Sequence, residues 1–127
     1  MTDFFALDAR GVAEHSFHDS ERFYMDPEAQ TPEQLAITQA NLATLRVVAG
    51  DPYMHDPKLR GQLGRVQTPA LLIWGDSDAI VTPDYGRGYA RSFPRAHFEL
   101  VTGAGHLPQI EQPAVTFALI DAFAQER

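Results

Sequence analysis

An α/β architecture built on a single parallel βαβ unit is predicted by three features of the sequence. Residues 70–74 read Ala-Leu-Leu-Ile-Trp, a short unbroken apolar run behind a proline. A run without alternation suits a parallel strand covered on both faces. A helical pattern follows, opening at Pro83, carrying Tyr85, Tyr89 and Phe93 on one side, and ending at Pro94. His97 to Val101 then reads as a second strand. Strand, helix and strand in this order imply parallel neighbours joined by a right-handed crossover.

The remaining elements flank this unit. Residues 1–30 mix Phe4, Phe5, Phe17, Phe23, Tyr24 and Met25 with acids and histidines and show no clean period, so short helices and loops are expected there. Thr31-Pro32-Glu33-Gln34 supplies an N-cap, a proline at the first helical position and a glutamine placed to close a capping box. Leu35, Leu42, Leu45 and Ala49 continue at helical spacing until Gly50-Asp51-Pro52 stops the helix. Asp56-Pro57 opens a further short helix with Leu59, Leu63 and Val66 on one face. Gln112-Pro113 opens the last helix, carrying Val115, Leu119, Ile120 and Phe123.

Composition narrows the function classes. The chain has 127 residues with 44% hydrophobic and 21% charged content, ordinary for a globular protein. A formal net charge of -7 argues against non-specific nucleic-acid binding, which needs a cationic surface. Cysteine is absent, which removes disulfides and thiolate metal sites. No segment approaches the roughly 18 to 20 apolar residues of a membrane span, and the first residues carry no secretory pattern, so a cytoplasmic location is the expectation.

In open parallel sheets, ligands bind beyond the carboxyl ends of the strands. Two segments lie at such ends, Gly75-Asp76-Ser77-Asp78 with the residues up to Val81, and Thr102-Gly103-Ala104-Gly105-His106-Leu107. Parallel neighbours set their ends side by side, so Asp76 or Asp78 is within reach of His106. A carboxylate on one imidazole nitrogen fixes the tautomer and stabilises the imidazolium formed in catalysis. His106 and one aspartate are therefore candidates for the base and acid of a nucleophile–histidine–acid triad. Ser77 follows Gly-Asp as in GDSL-type hydrolases, but no D-x-x-H follows it and it does not sit in a G-x-S-x-G elbow, so it reads better as a turn residue. His15 and His18 offer an i, i+3 pair beside Glu14 and Asp19 without an evident third ligand, and a solvated helix face is the better account. Glu111 reads as an acid at the start of the last helix, His97 as a packed or edge strand residue and Trp74 as core.

The stretch Pro69 to Pro83, then a helix, then Phe93-Pro94-Arg95-Ala96 through Pro113, resembles the C-terminal third of the α/β-hydrolase fold. The resemblance is nearest to the capped branch that includes meta-cleavage-product hydrolases, epoxide hydrolases and haloalkane dehalogenases. It covers about half the chain strongly, and its combined W-G-x-x-D and G-A-G-H-x-P-x-x-E-x-P pattern is specific to the fold rather than to a substrate. In that family the first motif delivers the triad acid and the second the histidine. Carried over by position, Asp78 is the acid and His106 the base, with Asp76 on a variable position. Ile80, Val81 and Leu107 would line an apolar substrate pocket. Residues 1–55 are expected to be part of a helical cap and residues 56–127 the C-terminal core segment.

The resemblance also implies parts that this sequence lacks. The family's nucleophile, serine or aspartate, sits in an elbow upstream of the cap, as does the loop that completes the oxyanion hole. The serines here are Ser16, Ser20, Ser77 and Ser92, and none is in an elbow. The expectation is a hydrolase of a small ester, carbon–carbon or epoxide substrate of which this chain holds only acid and histidine, inactive alone and needing no cofactor or metal. A two-stranded unit leaves open edges, so self-association or pairing with an N-terminal half is expected. A non-catalytic binding module and an esterase using Ser77 are the alternatives.

Overall fold

The computed structural model describes residues 2–51 and 53–126. Residues 70 to 101 form the expected unit. Strand β1 spans Ala70–Gly75 and β2 spans Ala96–Val101, paired in parallel from Ala70 opposite Ala96 to Gly75 opposite Val101. Helix α5, Pro83–Ala90, connects them. Successive strand residues face opposite sides of a sheet. Trp74 and Phe98 share one side, where Arg87 of α5 lies over the Phe98 ring, while His97 on the other side meets Phe123 of the last helix, α7, Pro113–Gln125. The sheet is thus sandwiched between α5 and α7. Gly86 lets α5 approach, since a Cβ there would lie 2.6 Å from the Trp74 ring.

Two details of this unit differ from expectation. Leu71 to Trp74 are half-buried, not buried on both faces, because β1 has a single strand neighbour among the described residues and its helices cover it incompletely. The helix from Pro83 ends at Ala90. Arg91 to Phe93 then form a tighter turn, with Ser92 N–H donating to Tyr89 O and Phe93 N–H to Ala90 O, and Phe93 still meets Tyr89 edge-on.

The first thirty residues are short helices and loops. Helices α1, Ala9–Ser16, and α2, Ser20–Phe23, lie between 3-10 turns at Phe4–Ala6 and Pro27–Ala29. Each begins at an aspartate, Asp3, Asp8, Asp19 and Asp26, whose carboxylate accepts a backbone N–H two or three residues on. Asx capping of this kind sets where each short element begins, and within α1 the positions Ala9, Val12, Ala13 and Ser16 form the inward face. Arg10 bonds Glu21 at 2.6 Å, which joins α1 to α2 and holds the guanidinium above its ordinary pKa through that bond.

Helix α3, Pro32–Ala49, carries the complete capping box between Thr31 and Gln34 and stops at Gly50, whose φ of 70° is the left-handed conformation glycine tolerates. Its expected stripe is not a buried one. Leu35 and Leu42 are exposed, Leu45 is half-buried and Ala49 is buried. Helix α4 spans Leu59–Leu63 and not from Pro57, because Asp56 closes a turn by accepting the N–H groups of Lys58 and Leu59; it buries Leu63 but leaves Leu59 and Val66 exposed. A four-residue helix, α6, Pro108–Glu111, precedes α7. No helix among the described residues is long and apolar enough to cross a membrane.

Candidate active site

The carboxyl ends of β1 and β2 meet in a tightly interlocked pair of loops. Asp76 N–H donates to Val101 O, which extends the ladder one residue, and Ser77 N–H donates to Ala104 O. Ala104 is fully buried and Val101 is 1% exposed. Gly75 is required by this approach, because a Cβ on it would lie 2.0 Å from the Gly105 carbonyl oxygen, well inside contact distance.

Asp78 and His106 come together across this junction. His106 Nδ1 lies 3.0 Å from Asp78 Oδ2. The other carboxylate oxygen, Oδ1, accepts the backbone N–H groups of Ile80 and Val81, each at 2.9 Å. Asp78 is 6% exposed, so its carboxylate is held from both sides within the protein. Because that carboxylate acts only as an acceptor in these bonds, Nδ1 of the neutral His106 ring must carry the proton. Nε2 is then the free lone pair, on a ring whose side chain is 40% exposed. A half-open imidazole with its lone pair on Nε2 and a buried acid on Nδ1 can act as a general base.

Asp76 has a different task. Its Oδ1 accepts Gly103 N–H at 3.1 Å and the Ser77 hydroxyl at 2.9 Å, so it ties the two loops together and makes no bond to His106. Ser77 Oγ also lies 2.7 Å from His18 Nδ1. The Ser77 hydroxyl thus sits between the Asp76 carboxylate and the His18 ring, in a turn that is not a G-x-S-x-G elbow. His15 Nδ1 bonds Gly11 O within α1, and no group of three metal-ligating side chains gathers among the described residues.

The histidine loop is held along its whole length. Gly103, at φ 71°, receives Gln112 Nε2 on its carbonyl. Gly105 N–H donates to Glu111 Oε2 at 2.6 Å, and His106 N–H donates to Ser16 O at 2.6 Å. The Glu111 carboxylate therefore points back at the loop and does not serve the start of the last helix, as its place in the sequence had suggested. The start of the chain lies over the same junction, with Ala79 N–H donating to His15 O and Thr2 N–H to Ile80 O. The contacts made by Thr2, His15 and Ser16 are not detectable in sequence, because each spans distant residues with no motif of its own, whereas Gly105 and Glu111 stand six apart in the G-A-G-H-x-P-x-x-E-x-P pattern. Of the expected pocket residues, Ile80 is buried while Val81 and Leu107 are half-buried. Two surface grooves, lined by Met25, Gln30, Gln34, Ile37 and Thr38 and by Arg87, Ala90, Arg91, Phe93, Pro94, Ala96 and Phe98, lie elsewhere.

A family model described as alpha/beta hydrolase fold matches residues 29–113, which include both strands, Asp78 and His106. The chain belongs to the α/β-hydrolase fold family. Among the relatives of this hydrolase-fold chain, the biotin biosynthesis bifunctional protein BioHC of Teredinibacter turnerae is 33% identical over 75 residues, 59% of this chain and 13% of that protein. A thermophilic esterase of Thermogutta terrifontis is 31% identical over 55% of this chain and 26% of its own, with a TM-score of 0.53. Another thermophilic esterase superposes over 91% of this chain and 44% of its own at a TM-score of 0.66, with 15% identity, and shows the fold alone. The hydrolase-fold chain spans less than half the length of each of these proteins.

Proposed function

We propose that this α/β-hydrolase-family chain supplies the acid and the base of a nucleophile–histidine–acid hydrolase, with Asp78 orienting His106 and His106 taking the proton of a nucleophile or water. The observation that carries the reading is the 3.0 Å bond from His106 Nδ1 to Asp78 Oδ2, with Oδ1 of the same buried carboxylate occupied by two backbone N–H groups. The substrate class is a small ester, with carbon–carbon and epoxide substrates as neighbouring chemistries of the capped branch. The Thermogutta terrifontis esterase, 31% identical over 55% of this chain, favours the ester.

In this reading residues 1–55 are cap and residues 56–127 core, and Ile80, Val81 and Leu107 form the apolar wall beside the base. No nucleophile elbow is encoded in these 127 residues, so the attacking group comes from other residues and the chain is inactive without them. Pairing with such a segment, or with a second copy, is supported by the exposure of Leu100 on β2, Phe117 and Ile120 on α7, and Ile110.

The test is complementation. The chain is combined with a polypeptide carrying an elbow and an oxyanion loop, and hydrolysis of a chromogenic short-chain ester is followed. His106→Ala should lower the restored rate by about a thousandfold or more. A restored rate indifferent to His106 contradicts the assignment. Hydrolysis by the chain alone that disappears in Ser77→Ala would instead establish the serine-esterase alternative.

A further inference from the structure

The geometry points to Glu111 as a positioning residue for the base, acting by clamping the connection between α1 and α2 onto the backbone of the histidine loop. The inference rests on the reading of His106 as the base and adds a device that sets where that base stands.

Among the described residues the His106 side chain bonds Asp78, and it is otherwise substantially open. Its direction therefore depends on how firmly its backbone is located. Two hydrogen bonds do this. Gly105 N–H donates to Glu111 Oε2, and His106 N–H donates to Ser16 O at the end of α1. Glu111 uses its second oxygen, Oε1, for the N–H of Asp19, the N-cap of α2, at 3.0 Å. One carboxylate thus spans the histidine loop and the segment that passes over it. Hydrogen bonds to a charged acceptor are about twice as strong as neutral ones, and both oxygens are used. The contact has no slack, since a Cβ on Gly105 would lie 2.2 Å from Ser16 O. Residues 16–19, Glu111 and Gly105 form a closed ring of contacts around the His106 backbone. A displacement of residues 1–30 is transmitted through Glu111 to the base.

A glutamine at this position keeps the shape but has a single acceptor oxygen, so it satisfies one of the two N–H groups and turns an N–H₂ toward the other. An aspartate keeps both oxygens and the charge on a stem one methylene shorter. The readout is the His106 Nδ1–H proton in ¹⁵N-labelled chain, its NMR position and its exchange rate with water, with the amides of β1, β2 and α7 as markers of intact fold. Glu111→Gln should speed exchange of that proton by about tenfold, the factor for losing one hydrogen bond to a charged group. Glu111→Asp should fall between Glu111→Gln and the unaltered chain, and serves as the test should Glu111→Gln fail to fold. Glu99→Gln, which alters an exposed carboxylate on β2, should leave the proton unmoved. Folded Glu111 variants with an unchanged His106 proton would overturn the positioning role. If the unaltered chain shows no protected Nδ1–H at His106, the base assignment itself fails.

Discussion

The paired loops after β1 and β2 and the long helix α3 carry the two clearest local signals in the sequence, and they end in opposite surroundings. At the loops, glycine, aspartate and histidine are locked by hydrogen bonds between residues up to 92 apart in sequence, such as Asp19 N–H to Glu111. Along α3, a capping box, a proline at the first turn and a C-terminal glycine define the helix completely, yet Val47 is 82% exposed and Val48 75%. Local chemistry defines an element, whereas burial requires a partner, and here the loops have one within the described residues while α3 largely does not.

The sharpest way to break this contrast is at a glycine. Gly75→Ala would force a Cβ against the Gly105 carbonyl, a rigid backbone atom, and should cost about 3 kcal/mol or more in a urea titration. Gly61→Ala in α4, where a Cβ meets nothing within 4 Å, should be stabilising by about 0.5–1 kcal/mol in the same experiment. Similar costs at the two positions would mean that the interlocked loops are not as tight as described.

Asp78→Asn addresses the chemistry of the loops. The asparagine oxygen still accepts the Ile80 and Val81 N–H groups, but its N–H₂ faces Nδ1 and drives the proton to Nε2. In the complemented hydrolase the ester rate should fall by about four orders of magnitude with little loss of fold. A fall of less than tenfold would assign Asp78 to turn formation alone.

Smaller effects belong to α3. Thr31→Ala removes the N-cap and should cost about 1 kcal/mol, seen as faster amide exchange over the first turns of α3 with the His106 resonances unmoved. Val47→Lys should change stability by no more than about 0.5 kcal/mol if that face is solvated. The same substitution should lower the sedimentation coefficient of any self-associated form if the α3 face is what pairs. An unchanged association state would move the pairing surface to the sheet edge and α7.

These differences also mark how far the sequence could be read. The capping box, the helices opened at Pro32, Pro83 and Pro113, the βαβ order and the meeting of an aspartate after β1 with His106 were legible because each is written in adjacent residues or in the rule that parallel strands end together. The choice between Asp76 and Asp78 came from the family resemblance, and the geometry gives it a cause: Asp76 is committed to Gly103 and Ser77. The four aspartate caps in the first thirty residues were local and could have been found by looking for Asx turns in place of periodicity. Ser16, His18 and the tie from Glu111 to Asp19 could not, because those partners are distant in sequence. The half-buried state of β1 was missed because an apolar run states what a strand requires, not what surrounds it.

The central claim is that His106 is a base oriented by Asp78, and its most direct test is the tautomer of the His106 ring by ¹H–¹⁵N correlation of the neutral imidazole. The account predicts the proton on Nδ1, with Asp78→Asn moving it to Nε2. A ring protonated on Nε2 in the unaltered chain, or one that does not respond to Asp78→Asn, would contradict it.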